Sequence, residues 1–253
     1  MTPLLHVGGD VLVTNPYLLL SSSLERNFCA HAARNYEVEF SRASGDLAPA
    51  MAGELVIAFE EAGYRACSNV KIKSPRGKTD IDTLVWSPSE RRVFAAELKW
   101  IIEPGDFMEV INRGEDRCKE VMANKLPKYS AALESGGGAI VKRAFNLKKE
   151  PEIQNWSSGL IIRNFVGTSR IPRDQYGFAP WKLAIKKIRE GCTLQHFADW
   201  VETMPFIPKL GPDYNAVPIE IVTPSGFRVA YHELDLQTLA TTEPSGSRAS
   251  HKG

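Results

Sequence analysis

Cysteine is scarce and scattered. Cys29, Cys67, Cys118 and Cys192 form no Cys-x-x-Cys pair, and no histidine stands at ligand spacing from any of them. That argues against a disulfide framework and a structural zinc site, and leaves free thiols in a reducing cytoplasm. An excess of one charge is lacking too, with 31 Lys and Arg against 30 Asp and Glu. Any surface for nucleic acid must therefore be local. Long hydrophobic runs are missing. The longest near the N-terminus, VLVTNPYLLL, is broken by Asn15-Pro16, so no membrane span is expected. MTPLLHVGGD has no basic region ahead of an apolar core and does not read as a signal peptide. Residues 73–79, KSPRGKT, end in Gly-Lys-Thr, but a phosphate loop needs a glycine where Ile72 stands. His196 has no second histidine or carboxylate at zincin spacing.

What remains is an ordinary globular composition, 43% apolar and 24% charged over 253 residues. Four segments are expected: an N-terminal arm (1–45), a core (46–170), a C-terminal helix and hairpin extension (171–239) and a disordered tail (240–253). In the arm, 10–14 suggest a strand and 24–36 a helix. A helix is expected over 48–62, with Met51, Leu55, Phe59 and Ala62 buried and Gly63 ending it. A strand over 64–72 follows. After Trp100, residues 109–133 read as one long helix or two, with Pro127 marking the interruption. Ser135 to Gly138 read as a loop, 158–166 as a strand of the central sheet, and 193–204 as a helix capped by Thr193. IEIVTPSGFRVAYHEL reads as a hairpin. It would extend the sheet, pair with a second subunit or pack on the arm. Lys73, Arg76 and Lys78, and the basic run 142–149, are candidates for phosphate contact or plain solvated surface.

The most informative stretch is Thr79 to Trp100, TDIDTLVWSPSERRVFAAELKW. Two strand-like runs flank a Ser87-Pro88-Ser89-Glu90 turn. Alternation puts Asp80, Asp82, Leu84 and Trp86 on one face of the first strand, and Val93, Ala95, Glu97 and Lys99 on one face of the second. The opposite faces are almost wholly apolar. Strands apolar on both sides are usually buried on both sides, and carboxylates there need compensation. Two carboxylates from adjacent strands can grip one divalent cation through oxygen. The alternative is a structural ion pair between Lys99 and Asp82 or Glu97.

This Asp, hairpin, Glu-x-Lys pattern, preceded by GELVIAF, resembles the PD-(D/E)xK nuclease superfamily, and more particularly its NERD and Mrr-like branches. The likeness covers roughly Gly53 to Trp100. It implies a restriction-endonuclease-like α/β core with a mixed central β-sheet flanked by helices. It also implies Mg²⁺ (with Mn²⁺ able to substitute) held by Asp82, Glu97 and the Leu98 carbonyl, Lys99 at the attacking water, and Glu54 steadying the metal's other side. The implied activity is a metal-dependent (endo)deoxyribonuclease, with endo- or exonuclease action open, in DNA repair or defence against foreign DNA. A homodimer and a place in a larger multidomain protein are both open, with no membrane partner. Many relatives carry a glutamine on the helix after the Glu-x-Lys strand. None occurs between Trp100 and Leu133. That departure and the balanced charge suit a second reading, a catalytically inactive nucleic-acid-binding or interaction module on the same fold. A purely structural domain of a larger protein is a third.

Overall fold

A computed structural model describes residues 4–8, 11–14, 32, 35–45, 47–100, 115–163, 176–207, 214–222 and 228–236. The chain divides into two compact units, Met1–Met204 and Pro205–Gly253. In the first unit β1 (Leu4–Gly8) pairs antiparallel with β2 (Val11–Thr14). Most of the helix expected over 24–36, and all of the tail 240–253, fall outside the described residues. Helices α1 (Glu37–Gly45) and α2 (Leu47–Glu61) follow. Helix α2 buries Met51, Ala52, Leu55, Ala58 and Phe59. It ends at Gly63, where φ is +88. Gly63 N–H donates to the Glu60 carbonyl and Tyr64 N–H to the Phe59 carbonyl. A side chain at that φ would be strained, which is why glycine serves there.

Strands β3 (Arg65–Ser74), β4 (Gly77–Ser87) and β5 (Arg92–Trp100) form an antiparallel meander. The basic turn is tight, since Ser74 pairs directly with Gly77. A strand rather than a helix follows Gly77, whereas a phosphate loop leads into a helix. At the β4–β5 turn, Ser87 Oγ donates to Glu90 Oε1 and accepts from the Glu90 N–H. The chain then crosses through α3 (Glu115–Glu120), a π turn (Val121–Lys125) and α4 (Leu126–Ala144). It returns as β6 (Asn155–Arg163), parallel to β5, and β7 (Gly177–Pro180), parallel to β6. The result is a five-stranded mixed open sheet of order β3-β4-β5-β6-β7, an α/β arrangement with helices on both faces.

One face carries Ile81, Thr83, Val85, Phe94, Ala96 and Leu98. It is covered by α2 and by α6 (Leu194–Thr203), with α5 (Trp181–Arg189) beside them. Phe197 stands edge-on to both Phe59 and Phe94, with ring centroids 5.2 Å away in each case. A Cβ on Gly177 would come within 1.9 Å of the Val201 carbonyl oxygen. Only a glycine lets β7 lie that close to the end of α6. Thr193 caps α6 as expected, accepting from His196 N–H at 3.1 Å. Glu90, reaching from the β4–β5 turn, accepts from Leu194 N–H and Gln195 N–H. An anionic group there suits a helix N-terminus.

Ser135 to Gly138 form no extended loop: two helical segments of α4 meet there at a kink, where Gly136 leaves helical angles. Packing explains it: a Cβ on Gly138 would lie 2.9 Å from the Pro151 carbonyl oxygen, and Gly137 backs onto Ile153. The missing side chains let residues 150–153 press against the helix, and tertiary contact outweighs glycine's weak helix propensity.

In the second unit, β8 (Tyr214–Val222) and β9 (Arg228–Leu236) form a two-stranded antiparallel sheet of their own. Strand β8 begins at Tyr214 and contains Pro218. Proline is compatible with a strand that has an outer edge. Among the described residues, no helix is long and apolar enough to cross a membrane.

Candidate functional site

The β4–β5 ladder runs from Ser87↔Arg92 to Thr83↔Ala96 and stops. The next residues on the polar face are Asp82 and Glu97. On the other side of β4, pairing with β3 skips the position between Ser68↔Thr83 and Val70↔Ile81. Asn69 occupies that gap at φ 55, a conformation asparagine tolerates better than most residues. Asp82 thus sits where the ladder is interrupted on both sides. Its Oδ2 accepts the Leu98 N–H at 2.7 Å, filling the place of a missing strand partner. A strand residue's N–H and C=O point to the same side, so the Leu98 carbonyl also faces β4.

Glu97 is fully buried. Its Oε1 lies 2.8 Å from Lys125 Nζ and 3.0 Å from Lys99 Nζ. Both contacts are ion pairs, so Oε1 is a buried oxygen compensated by two ammonium groups. Its Oε2 accepts from the Tyr129 hydroxyl at 2.5 Å, and the Asp80 carbonyl competes for the same proton at 2.7 Å. Burial, and then the Glu97 charge, push the Asp82 carboxyl from 3.8 up to about 6; the Leu98 N–H, Lys125 and Lys99 oppose this. Burial alone would lower the Lys125 ammonium. Contact with Glu97, backed by Asp82 and Asp80, outweighs it and holds Lys125 above the usual lysine value. Burial and Glu97 together raise the Tyr129 phenol far above its ordinary range, so it serves as a neutral donor.

Asp82, Glu97, Leu98 and Lys99 therefore converge. Glu54 does not join them through any described hydrogen bond or ion pair; it lies on the exposed side of α2. Lys125 and Tyr129 are the partners that sequence reasoning missed. Their i, i+4 spacing, which aligns two side chains on one helix face, was the available signal. Pro127 between them obscured it. The free thiols read from the sequence are present at Cys67, Cys118 and Cys192. Burial raises Cys67 and Cys118 to about 11, which makes both poor nucleophiles. Cys29 lies outside the described residues.

No protein-family model matches this sequence, and no curated protein matches it.

Among the described residues, no three His, Cys, Asp or Glu side chains gather as a metal cluster. The oxygen donors available here are two carboxylates and a main-chain carbonyl. They suit a hard cation such as Mg²⁺, which keeps several waters and takes one or two carboxylates. Glu97 Oε1, buried and now neutralised by two ammonium groups, is the atom such an ion would neutralise. The residues fit the ion in kind and place, provided an ammonium gives way.

Proposed function

We propose that the chain is a Mg²⁺-dependent nuclease that hydrolyses phosphodiester bonds of DNA on a PD-(D/E)xK, restriction-endonuclease-like core. Support comes first from the convergence of Asp82, Glu97 and Lys99 where the β4–β5 ladder ends. It comes also from the element order, a helix, three antiparallel strands, a helix across the polar face and a parallel strand. That order suits the helix-then-strand entry and the covering helix of the superfamily. DNA rather than RNA follows what most members cut. DNA repair and defence against foreign DNA are processes such an activity would serve.

Asp82 and Glu97, with the Leu98 carbonyl, would hold the ion, and Mn²⁺ would substitute. When bound, it supplies charge neutralisation for the phosphoryl oxygens and acidifies water. Lys99 shares the Glu97 face and is 29% exposed. It orients the attacking water and favours its deprotonated form through its own charge. Tyr129 fixes the Glu97 carboxylate by holding Oε2, which leaves Oε1 toward the lysines. Glu54, exposed on α2 and without a described contact to these residues, takes no part in this arrangement.

The test is cleavage of supercoiled plasmid with Mg²⁺ or Mn²⁺ by the wild type, Asp82→Ala and Lys99→Ala. Cleavage by the wild type and its loss in both variants is the expected result. Equal activity in all three rejects the assignments.

One observation favours the second reading, a non-catalytic nucleic-acid-binding module. Glu97 already has two ammonium groups and a phenol as neighbours, which satisfies a buried carboxylate without any metal. Salt-sensitive DNA binding with no turnover under any divalent metal would select it.

A further inference from the structure

The polar face holds three acidic side chains, the buried Glu97, Asp82 and the exposed Asp80, against two ammonium groups, Lys99 and Lys125. A divalent cation added to that balance would leave a surplus of positive charge in a poorly solvated place. One ammonium has to move. Lys99 belongs to the strand that carries Glu97. Lys125 comes from a different element and makes the shorter contact, 2.8 Å against 3.0 Å. It is also 34% exposed, so its head can reach water without disturbing the core.

The backbone places it there by a local irregularity. Pro127 has no N–H to give to the Ala123 carbonyl, and Leu126 N–H bonds to Val121 instead of residue 122. The resulting π turn ends on Lys125. Turns of this kind often mark functional positions. Tyr129, one turn further on, pins the helix to Glu97 and to the Asp80 carbonyl. The Lys125 backbone therefore stays in place when its ammonium leaves.

We propose that Lys125 is a positioning residue, a resident counter-ion that holds Glu97 Oε1 in the ion-free protein and must vacate it for a divalent cation to bind. It thereby sets the cation concentration at which the site fills, and keeps the buried carboxylate neutralised until then. On release its head group turns to the solvent side, where a phosphate would find it. This rests on the metal-binding reading of the site given above.

The experiment is calorimetric titration of Mn²⁺ alone into the full chain, as wild type, Lys125→Gln, Lys125→Arg and Asp82→Asn. Lys125→Gln should bind Mn²⁺ about tenfold more tightly than wild type or more, equivalent to ~1.4 kcal/mol. Lys125→Arg, which keeps the charge, should show no gain. In chelator, Lys125→Gln should melt below wild type, and it should gain more from saturating Mn²⁺. If it is unfolded in chelator, Mn²⁺ should restore it; failure to do so overturns the proposal. Equal affinity in wild type and Lys125→Gln, with uptake lost in Asp82→Asn, overturns the role of Lys125 and leaves the metal site standing. No uptake by wild type or Lys125→Gln overturns both.

Discussion

Asp82 should weaken the metal-free fold at neutral pH, and replacing it with asparagine should strengthen it. Its carboxyl is pushed from 3.8 to about 6 by burial and by Glu97. The folded-state value therefore lies above the unfolded one. Between the two, the native state holds more protons than the unfolded state, so stability falls as pH rises. Below about 3.8 both states are protonated and nothing is lost. Above about 6 both are ionised and the whole penalty applies. At ~1.4 kcal/mol per pKa unit, that shift corresponds to roughly 3 kcal/mol at most. Asparagine keeps an oxygen for the Leu98 N–H and carries no charge. Asp82→Asn should thus gain roughly 1 to 3 kcal/mol over wild type at pH 8. The gain should shrink toward zero as pH falls through the window from about 6 to 3.8. The assay is urea unfolding in chelator at pH 8 and pH 4, comparing midpoints at equal slope. Asparagine that destabilises at pH 8, or a gain of the same size at both pH values, would refute the reasoning. Saturating Mn²⁺ should remove the advantage, because it stabilises only a protein that binds it. A more stable but inactive variant is what a site assembled at the expense of the fold should give.

Other outcomes follow from the same contacts. Tyr129→Phe removes the only hydrogen bond to Glu97 Oε2 among the described residues and should cost about 1 to 3 kcal/mol in urea unfolding; a loss below a few tenths would mean that water replaces the phenol. Phe197→Ala empties the centre of the Phe59–Phe197–Phe94 cluster and should cost about 3 to 5 kcal/mol. The same unfolding measurement reads it, and a near-neutral result would place Phe197 outside the core. Thr193→Ala should cost about 1 kcal/mol by removing the cap of α6. The smaller loss is expected because Glu90 still holds the first two N–H groups of that helix.

Periodicity in the sequence sufficed for the local elements. Alternation over 79–100 placed Asp82, Glu97 and Lys99 on one face, because a strand has a strict two-residue repeat that sequence displays directly. Gly63 ended its helix and Thr193 capped another, since these are choices made by a few adjacent residues. The tertiary structure decided what lies far apart in the chain. It reduced Ser135–Gly138 to a kink between two helical segments because residues 150–153 press against Gly137 and Gly138. It ended the β4–β5 ladder at Thr83 and Ala96, so that Asp82 pairs with the Leu98 N–H instead of a strand. It also swung Lys125 and Tyr129 onto Glu97, two residues whose helix carries no mark in the sequence of which strand it will cross. A buried charge is compensated by whichever group the fold brings within about 3 Å, and that distance is fixed only when the sheet and its covering helix have packed.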